Sequence, residues 1–171
     1  MQDAALTIAQ LMCASARTAP KSRGMDTIVV GILSGDDMDS VANEMDVIAK
    51  ERNMGFFARD AKNIRASACA VLVGVNNGPL GLECGACATG CSGLEAARSD
   101  GGDYPGPMCI FKGIDLGIAL SSAAKTASMH NADNRIMYTA GLAATRLGVM
   151  DADIVVAIPI SLDGKNIFFD R

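Results

Sequence analysis

The sequence predicts one domain in which helices alternate with buried strands, and three observations carry that expectation. Half of the residues are hydrophobic and a fifth are charged, Trp is absent, and the apolar side chains are mostly Ala, Val, Ile, Leu and Met, as in a tightly packed soluble domain. Segments with apolar residues at helical spacing are separated by short β-branched runs bounded by turn residues. At 171 residues the chain suits a single unit whose core needs no disulfide support.

Residues 3 to 18, DAALTIAQLMCASART, open on Asp3 as N-cap and place Ala5, Ile8, Ala9, Met12 and Ala16 on one helical face, and Pro20 stops the helix. TIVVGIL, Thr27 to Leu33, lies between Gly24 and Ser34-Gly35 and reads as a buried strand. Asp36 caps a helix over roughly 37 to 53, with Val41, Met45 and Ile48 inward and Lys50, Arg52 and Gly55 at its end. FFARDAKNIRAS holds a shorter helix showing Arg59, Lys62 and Arg65, and CAVLVGV, Cys69 to Val75, is a second buried strand. Asn76 to Pro107 has the turn chemistry of a long irregular segment, a length that compact domains reserve for function or disorder. Helix resumes at Ile114, and the run to Met129 is rich in Gly, Ala and Ser, so it can approach a neighbour closely. A helix over 134 to 147, a strand from Asp153 to Ile160, a turn at Asp163-Gly164 and a terminal strand or arm, KNIFFD, complete the chain.

Apolar stretches are interrupted well before the roughly 18 to 20 residues of a membrane span, and the acid near the N-terminus does not suit a secretory signal. The expected location is cytoplasmic. A net charge of -4 argues against a nucleic-acid partner, which requires a positive field. No dinucleotide or Walker pattern occurs, and one histidine supports no Ser-His-Asp set, so a hydrolase is disfavoured. His130 sits at a helix end near Asn131 and Asp133, where a capping or surface role is expected.

Chemistry concentrates in CGACATGC. Cys84, Cys87 and Cys91 have C-x2-C-x3-C spacing, and a tight turn of that kind brings thiolates to one side of the backbone for a metal or an iron-sulfur cluster. The intervening Gly and Ala residues allow the chain to wrap and expose N-H groups to the sulfurs. Cys109 is the natural fourth ligand and Cys69 the reserve. The spacing matches neither ferredoxin pattern, so a redox cluster, structural zinc and free thiols all stay open, with zinc disfavoured by the lack of a nearby His. Cys13 and Cys69 lie in apolar elements, where a thiol packs as a small hydrophobe. A second feature is the basic loop of Arg17, Lys21 and Arg23, which could clamp a phosphate or be a solvated turn; Arg59, Lys62 and Arg65 read as surface.

CASARTAPKSRGMDTIVVGIL resembles the N-terminal helix, loop and strand of the nitroreductase family, whose loop touches flavin mononucleotide. CIFKGIDLGIALSSAAKTASMHNADNRI resembles that family's central Gly/Ala-rich helix, which builds its dimer interface, and MYTAGLAATRLGVMDADIVVAIPIS its late helix and last core strand. With the cysteines, the whole resembles an uncharacterised prokaryotic family containing a ferredoxin domain. The resemblance implies an α+β, nitroreductase-like three-layer sandwich over 1 to 171, with a central mixed or antiparallel sheet between helices and a Cys-rich insertion at 76 to 112. It implies a homodimer, iron-sulfur ligation of the 4Fe-4S kind and flavin mononucleotide (FMN) as a further candidate cofactor, with Arg17, Lys21 and Arg23 as phosphate partners. The family's Arg-x-Ser-x-Arg opening, and the Asn and Trp that follow its Ala-Pro turn, are absent here.

The expectation is therefore a redox protein that ligates a cluster through Cys84, Cys87, Cys91 and Cys109 and performs electron transfer or flavin-assisted reduction. The alternative is a non-enzymatic dimeric domain with structural zinc or redox-sensing thiols.

Overall fold

A computed structural model describes residues 1 to 169. Helix α1 runs over Gln2–Thr18, strand β1 over Ile28–Leu33, α2 over Asp36–Arg52 and α3 over Gly55–Ala66. Strand β2, Cys69–Val75, precedes the cysteine segment, which contains the single turn α4, Gly90–Gly93. Then come α5, Ile110–Met129, a two-residue β3, Asp133–Asn134, α6, Tyr138–Arg146, and β4, Ile154–Ser161.

The strands form a sheet of order β1-β2-β4-β3, antiparallel at every pairing. Strand β2 is central because CAVLVGV has no polar alternation, and all seven of its residues are buried. Its register opposes Ile28 to Val75 in β1 and Cys69 to Ile160 in β4. Successive side chains point to opposite faces. Cys69, Val71, Val73 and Val75 pack under Ala5, Ala9, Met12 and Ala16 of α1 and Leu116, Ala119 and Ala123 of α5. Ala70 and Leu72 pack on the other face, under residues such as Val41 and Met45 of α2, Phe57 of α3 and Ala140 of α6. The result is an α+β sandwich: two helices, an antiparallel sheet, three helices.

Several element bounds differ from the sequence expectation for tertiary reasons. The caps shift by a residue or two: α1 starts at Gln2 with Asp3 in its first turn, and Gly35 rather than Asp36 caps α2. Helix α5 begins four residues before Ile114, with Cys109 as its N-cap. Helix α6 begins at Tyr138 because the residues before it are drawn to the sheet: Asp133 and Asn134 pair with β4, and Met137 exchanges backbone bonds of 2.8 and 3.0 Å with Ala157. The terminal KNIFFD makes no strand through Phe169, and Asp170 lies outside the described residues. The Asn166 side chain accepts from the backbone N-H groups of Phe168 and Phe169, curling the arm so that Phe168 is buried among the second layer of helices.

Helix α6 crosses β4 at Gly141, where an added Cβ would lie 2.0 Å from the Val155 carbonyl oxygen. Ala would gain about 1 kcal/mol of helix propensity there, but a contact that short forces the helix off the sheet. Gly141→Ala is expected to cost about 3 kcal/mol or more, as overpacking of a tight core does. Gly117→Ala, on the exposed side of α5 with nothing within 4 Å, should instead stabilise by about 0.5 to 1 kcal/mol. Urea unfolding of both variants checks the two signs.

Candidate functional site

The cysteine segment leaves the sheet at the end of β2 and returns at α5, and Asn77 staples its two ends. The Asn77 N-H donates to Asp153 Oδ2 at 2.7 Å, its Nδ2 donates to the Pro107 carbonyl at 2.9 Å, and its Oδ1 accepts from the Cys109 N-H at 3.1 Å. Arg98 adds an ion pair of 2.5 Å to Asp153. Ser99 and Gly106 exchange backbone bonds to close a small hairpin, whose tip carries Asp103 and Tyr104. Tyr104 donates to the Val155 carbonyl at 2.6 Å. Asp103 pairs with Arg52 of α2 at 2.5 Å and accepts from the Tyr138 hydroxyl of α6. The Arg52 guanidinium, and after it the Tyr138 hydroxyl, hold the Asp103 carboxyl below its ordinary range.

Between these anchors the thiol stretch curls on itself. Glu83, Gly85, Ala88 and Gly90 all have positive φ, and for Glu83 and Ala88 that conformation is uncommon. Glu83 Oε2 accepts from the Cys91 N-H at 3.3 Å, closing the loop around Cys87. Cys84 is exposed, Cys87 and Cys91 are half-buried, and Cys109 is buried at 6% exposure. Cys109 forms a small apolar cluster with Leu80 and Leu94, and Cys87 packs against it with Phe111. The structure therefore brings Cys87 and Cys109 into one cluster. Among the described residues no three His, Cys, Asp or Glu side chains converge as a metal-holding group.

The six thiols separate into two environments. Burial pushes Cys13 and Cys69 up to about 11, so both stay protonated and inert. The Thr89 hydroxyl, 3.5 Å from Cys87 Sγ, donates to that sulfur and lowers its pKa. Cys69 starts β2 while the segment leaves from its other end, about 20 Å away at strand rise, which separates it from the other candidate ligands.

The basic loop is engaged with its own chain. Arg17 pairs with Asp26 at 2.9 Å and donates to the Ile28 carbonyl. Lys21 donates to the carbonyls of Arg17 and Ala19 and lies 3.8 Å from Asp26. Arg23 turns the other way, at φ 55, and donates to the Leu80 carbonyl at 2.9 Å. The three therefore do not converge, and Asp26 offsets two of them. His130 is the exposed C-cap of α5. Lys112 and Asp115, which sequence reasoning passed over, are each only 1% exposed on α5. Their signal was present, since they share the helical stripe of Leu116 and Ala119 that faces the core.

By donor type the segment fits an iron-sulfur group: four sulfurs, no competing histidine, and a curled, Gly-rich backbone. In the observed arrangement Cys87 packs against the apolar cluster that holds Cys109, and Cys84 and Cys91 lie on the same loop as Cys87.

The fold is that of the nitroreductases. A nitroreductase family protein from Clostridium novyi NT superposes with TM-score 0.59 at 13% identity, over 96% of this chain and 76% of its own. An FMN-dependent nitroreductase from Mycobacterium smegmatis, solved with NADPH, gives 0.58 at 11% identity, over 93% and 78%. At the level of sequence, residues 105–171 match the family described as an uncharacterized protein containing a ferredoxin domain (DUF2148). An uncharacterized protein of Archaeoglobus fulgidus is 43% identical over 165 residues, covering 95% of this chain and 89% of its own. The chain belongs to this ferredoxin-domain family. Among the described residues no helix is long and apolar enough to cross a membrane.

The Thr89 hydroxyl gives the reactivity of Cys87 a test. With Thr89→Val the Cys87 thiol should titrate higher, so its alkylation by iodoacetamide slows at neutral pH and the pH-rate profile moves upward. Peptide mass spectrometry, with Cys84 and Cys91 as internal references, measures the shift.

Proposed function

We propose that this chain is a redox protein of a reducing compartment in which Cys84, Cys87, Cys91 and Cys109 ligate an iron-sulfur cluster used for electron transfer. The observation that carries the reading is the packing of Cys87, on the curled, thiol-rich loop, against the apolar cluster that contains Cys109. Family membership and the redox fold support it. A bound cluster would supply one-electron transfer at a potential the protein tunes. The chain's own residues have separate tasks: Leu80, Leu94 and Phe111 exclude water, Thr89 lowers the cost of a thiolate at Cys87, and Asn77 fixes Cys109 relative to the segment's start.

FMN is the second reading, supported by the fold. It asks Arg17, Lys21 and Arg23 to give up Asp26 and four backbone carbonyls for a phosphate, so the thiols carry the proposal. A zinc-bound or thiol-sensing dimeric scaffold is the non-enzymatic counterpart.

Anaerobic purification from the native host and a visible spectrum decide among these. Brown supports the cluster and yellow the flavin, while colourless, iron-free protein overturns the cluster. Cys87→Ser should abolish the brown absorption with the fold retained; spectroscopically silent unfolding would point to structural zinc.

The homodimer belongs to the same proposal. The exposed side of α5 presents Ile110 and Ile114 beside an apolar cavity of about 280 Å3 lined by Met108, Cys109, Ile110, Gly113 and Ile114. A second copy of the chain covering this face would bury it. Light scattering should report a dimer for the native chain and a monomer for Ile114→Asp.

A further inference from the structure

Asn77 is the one asparagine of the chain that glycine follows. The backbone nitrogen of a glycine is approachable, because no side chain stands beside it. Here that nitrogen already touches the carboxamide: the Gly78 N-H donates to Asn77 Oδ1 at 3.0 Å. The same oxygen accepts from the Cys109 N-H, and Cys109 caps the twenty-residue helix α5, whose macrodipole is positive at that end. The other end of the carboxamide, Nδ2, donates to the Pro107 carbonyl. The Asn77 backbone is fixed meanwhile by its own N-H on Asp153. Asn77 and Gly78 are half-buried, so water reaches them.

These contacts arrange a reaction of the chain with itself. A nitrogen held against the carbon it can attack has the advantage of proximity. Attack of the Gly78 nitrogen on Asn77 Cγ closes a five-membered ring and puts negative charge on Oδ1, where the Cys109 N-H stabilises it as an oxyanion-hole donor does. The Gly78 proton passes to solvent base, the bond from Cγ to Nδ2 breaks, and Nδ2 leaves as ammonia, giving a succinimide. Water then opens the ring at Cγ, leaving aspartate, or at the main-chain carbonyl, leaving isoaspartate. No electrons change hands, and water is the one reactant supplied from outside. Either product puts a carboxylate where the staple had a donor, so the bond to Pro107 is lost and two acceptors face each other. Isoaspartate also lengthens the main chain at the joint and draws the acceptor away from Cys109.

We propose that Asn77 is a deamidation site built into the cysteine segment, and that its conversion releases the joint between the segment's two ends. The chemistry is independent of any cluster or flavin. Incubation of the purified full chain in mildly alkaline buffer made with heavy-oxygen water, followed by peptide mass spectrometry, tests it. Asn77 is expected to take up label before any other asparagine, at no less than about a tenth of its rate in the urea-unfolded chain, the difference one hydrogen bond makes. A mixture of aspartate and isoaspartate should form, which direct hydrolysis of the carboxamide does not give. Gly78→Ala, whose Cβ meets nothing within 4 Å and whose φ lies outside the left-handed region, should slow the conversion at least about tenfold. In the deamidated fraction, separated by anion exchange, Cys109, at 6% exposure in the native fold, should be alkylated by iodoacetamide at least about tenfold faster than in untreated chain. A slower native rate than this, another asparagine converting first, aspartate without isoaspartate, full speed in folded Gly78→Ala, or unchanged alkylation of Cys109 overturns the proposal. Should Gly78→Ala fail to fold, the product mixture from the native chain decides the route.

Discussion

Everything in this molecule is arranged around a strand that has no exposed face. The seven residues of β2 are buried on both sides, which obliges helices to cover the sheet above and below and obliges polar chemistry to sit at the strand's ends. The segment that leaves Val75 must reach solvent at once, and Asn76 and Asn77 follow immediately. Asn77 then spends its backbone N-H and both side-chain groups on binding the departing chain to the returning one. A long excursion can in this way be inserted in a tight sandwich without loosening it, because its ends are fixed a few ångströms apart and only its tip is free to take up function.

The division among the thiols follows from the same layout. Cys13 and Cys69 lie under the helical layer that covers β2, where burial disfavours the thiolate. Cys87 lies beyond the sheet's end, where a hydroxyl can reach its sulfur. Cys109 stands at the junction, the N-cap of α5 and part of the cluster that Cys87 touches. The thiolate is thus disfavoured at Cys13 and Cys69 and favoured at Cys87, although the residue type is the same.

How much of this could be read beforehand depended on whether a feature is local. Helices α1 and α2 and strands β1 and β2 are visible in their periodicity, because each buries a stripe or a whole strand that its own residues define. The start of α6 and strand β3 were not visible, since Met137, Asp133 and Asn134 are extended by pairing with β4, twenty or more residues downstream. Of the terminal strand or arm, the arm forms and the strand does not, because a side chain, Asn166, competes for the backbone donors. At the site, cysteine spacing announced the loop, while Asn77 looked like an ordinary turn residue and the partners of Arg17 and Lys21 required the fold to bring Asp26 under them. Lys112 and Asp115 were the reverse case, evident on a helical wheel but unremarked in a segment that drew attention for its small residues.

Arg23 links the two halves of this picture. Its guanidinium holds the carbonyl of Leu80, a member of the Cys109 cluster, and the residue before it caps the carboxylate of Asp115. One short turn of chain therefore touches both the thiol loop and the buried charged pair. Anything that shifts Leu80 tugs on the cover of Asp115, and anything that lifts that cover tugs on Leu80. The turn of Ser22 to Gly24 is thus held on both sides, by a carbonyl of the thiol segment and by a carboxylate of α5.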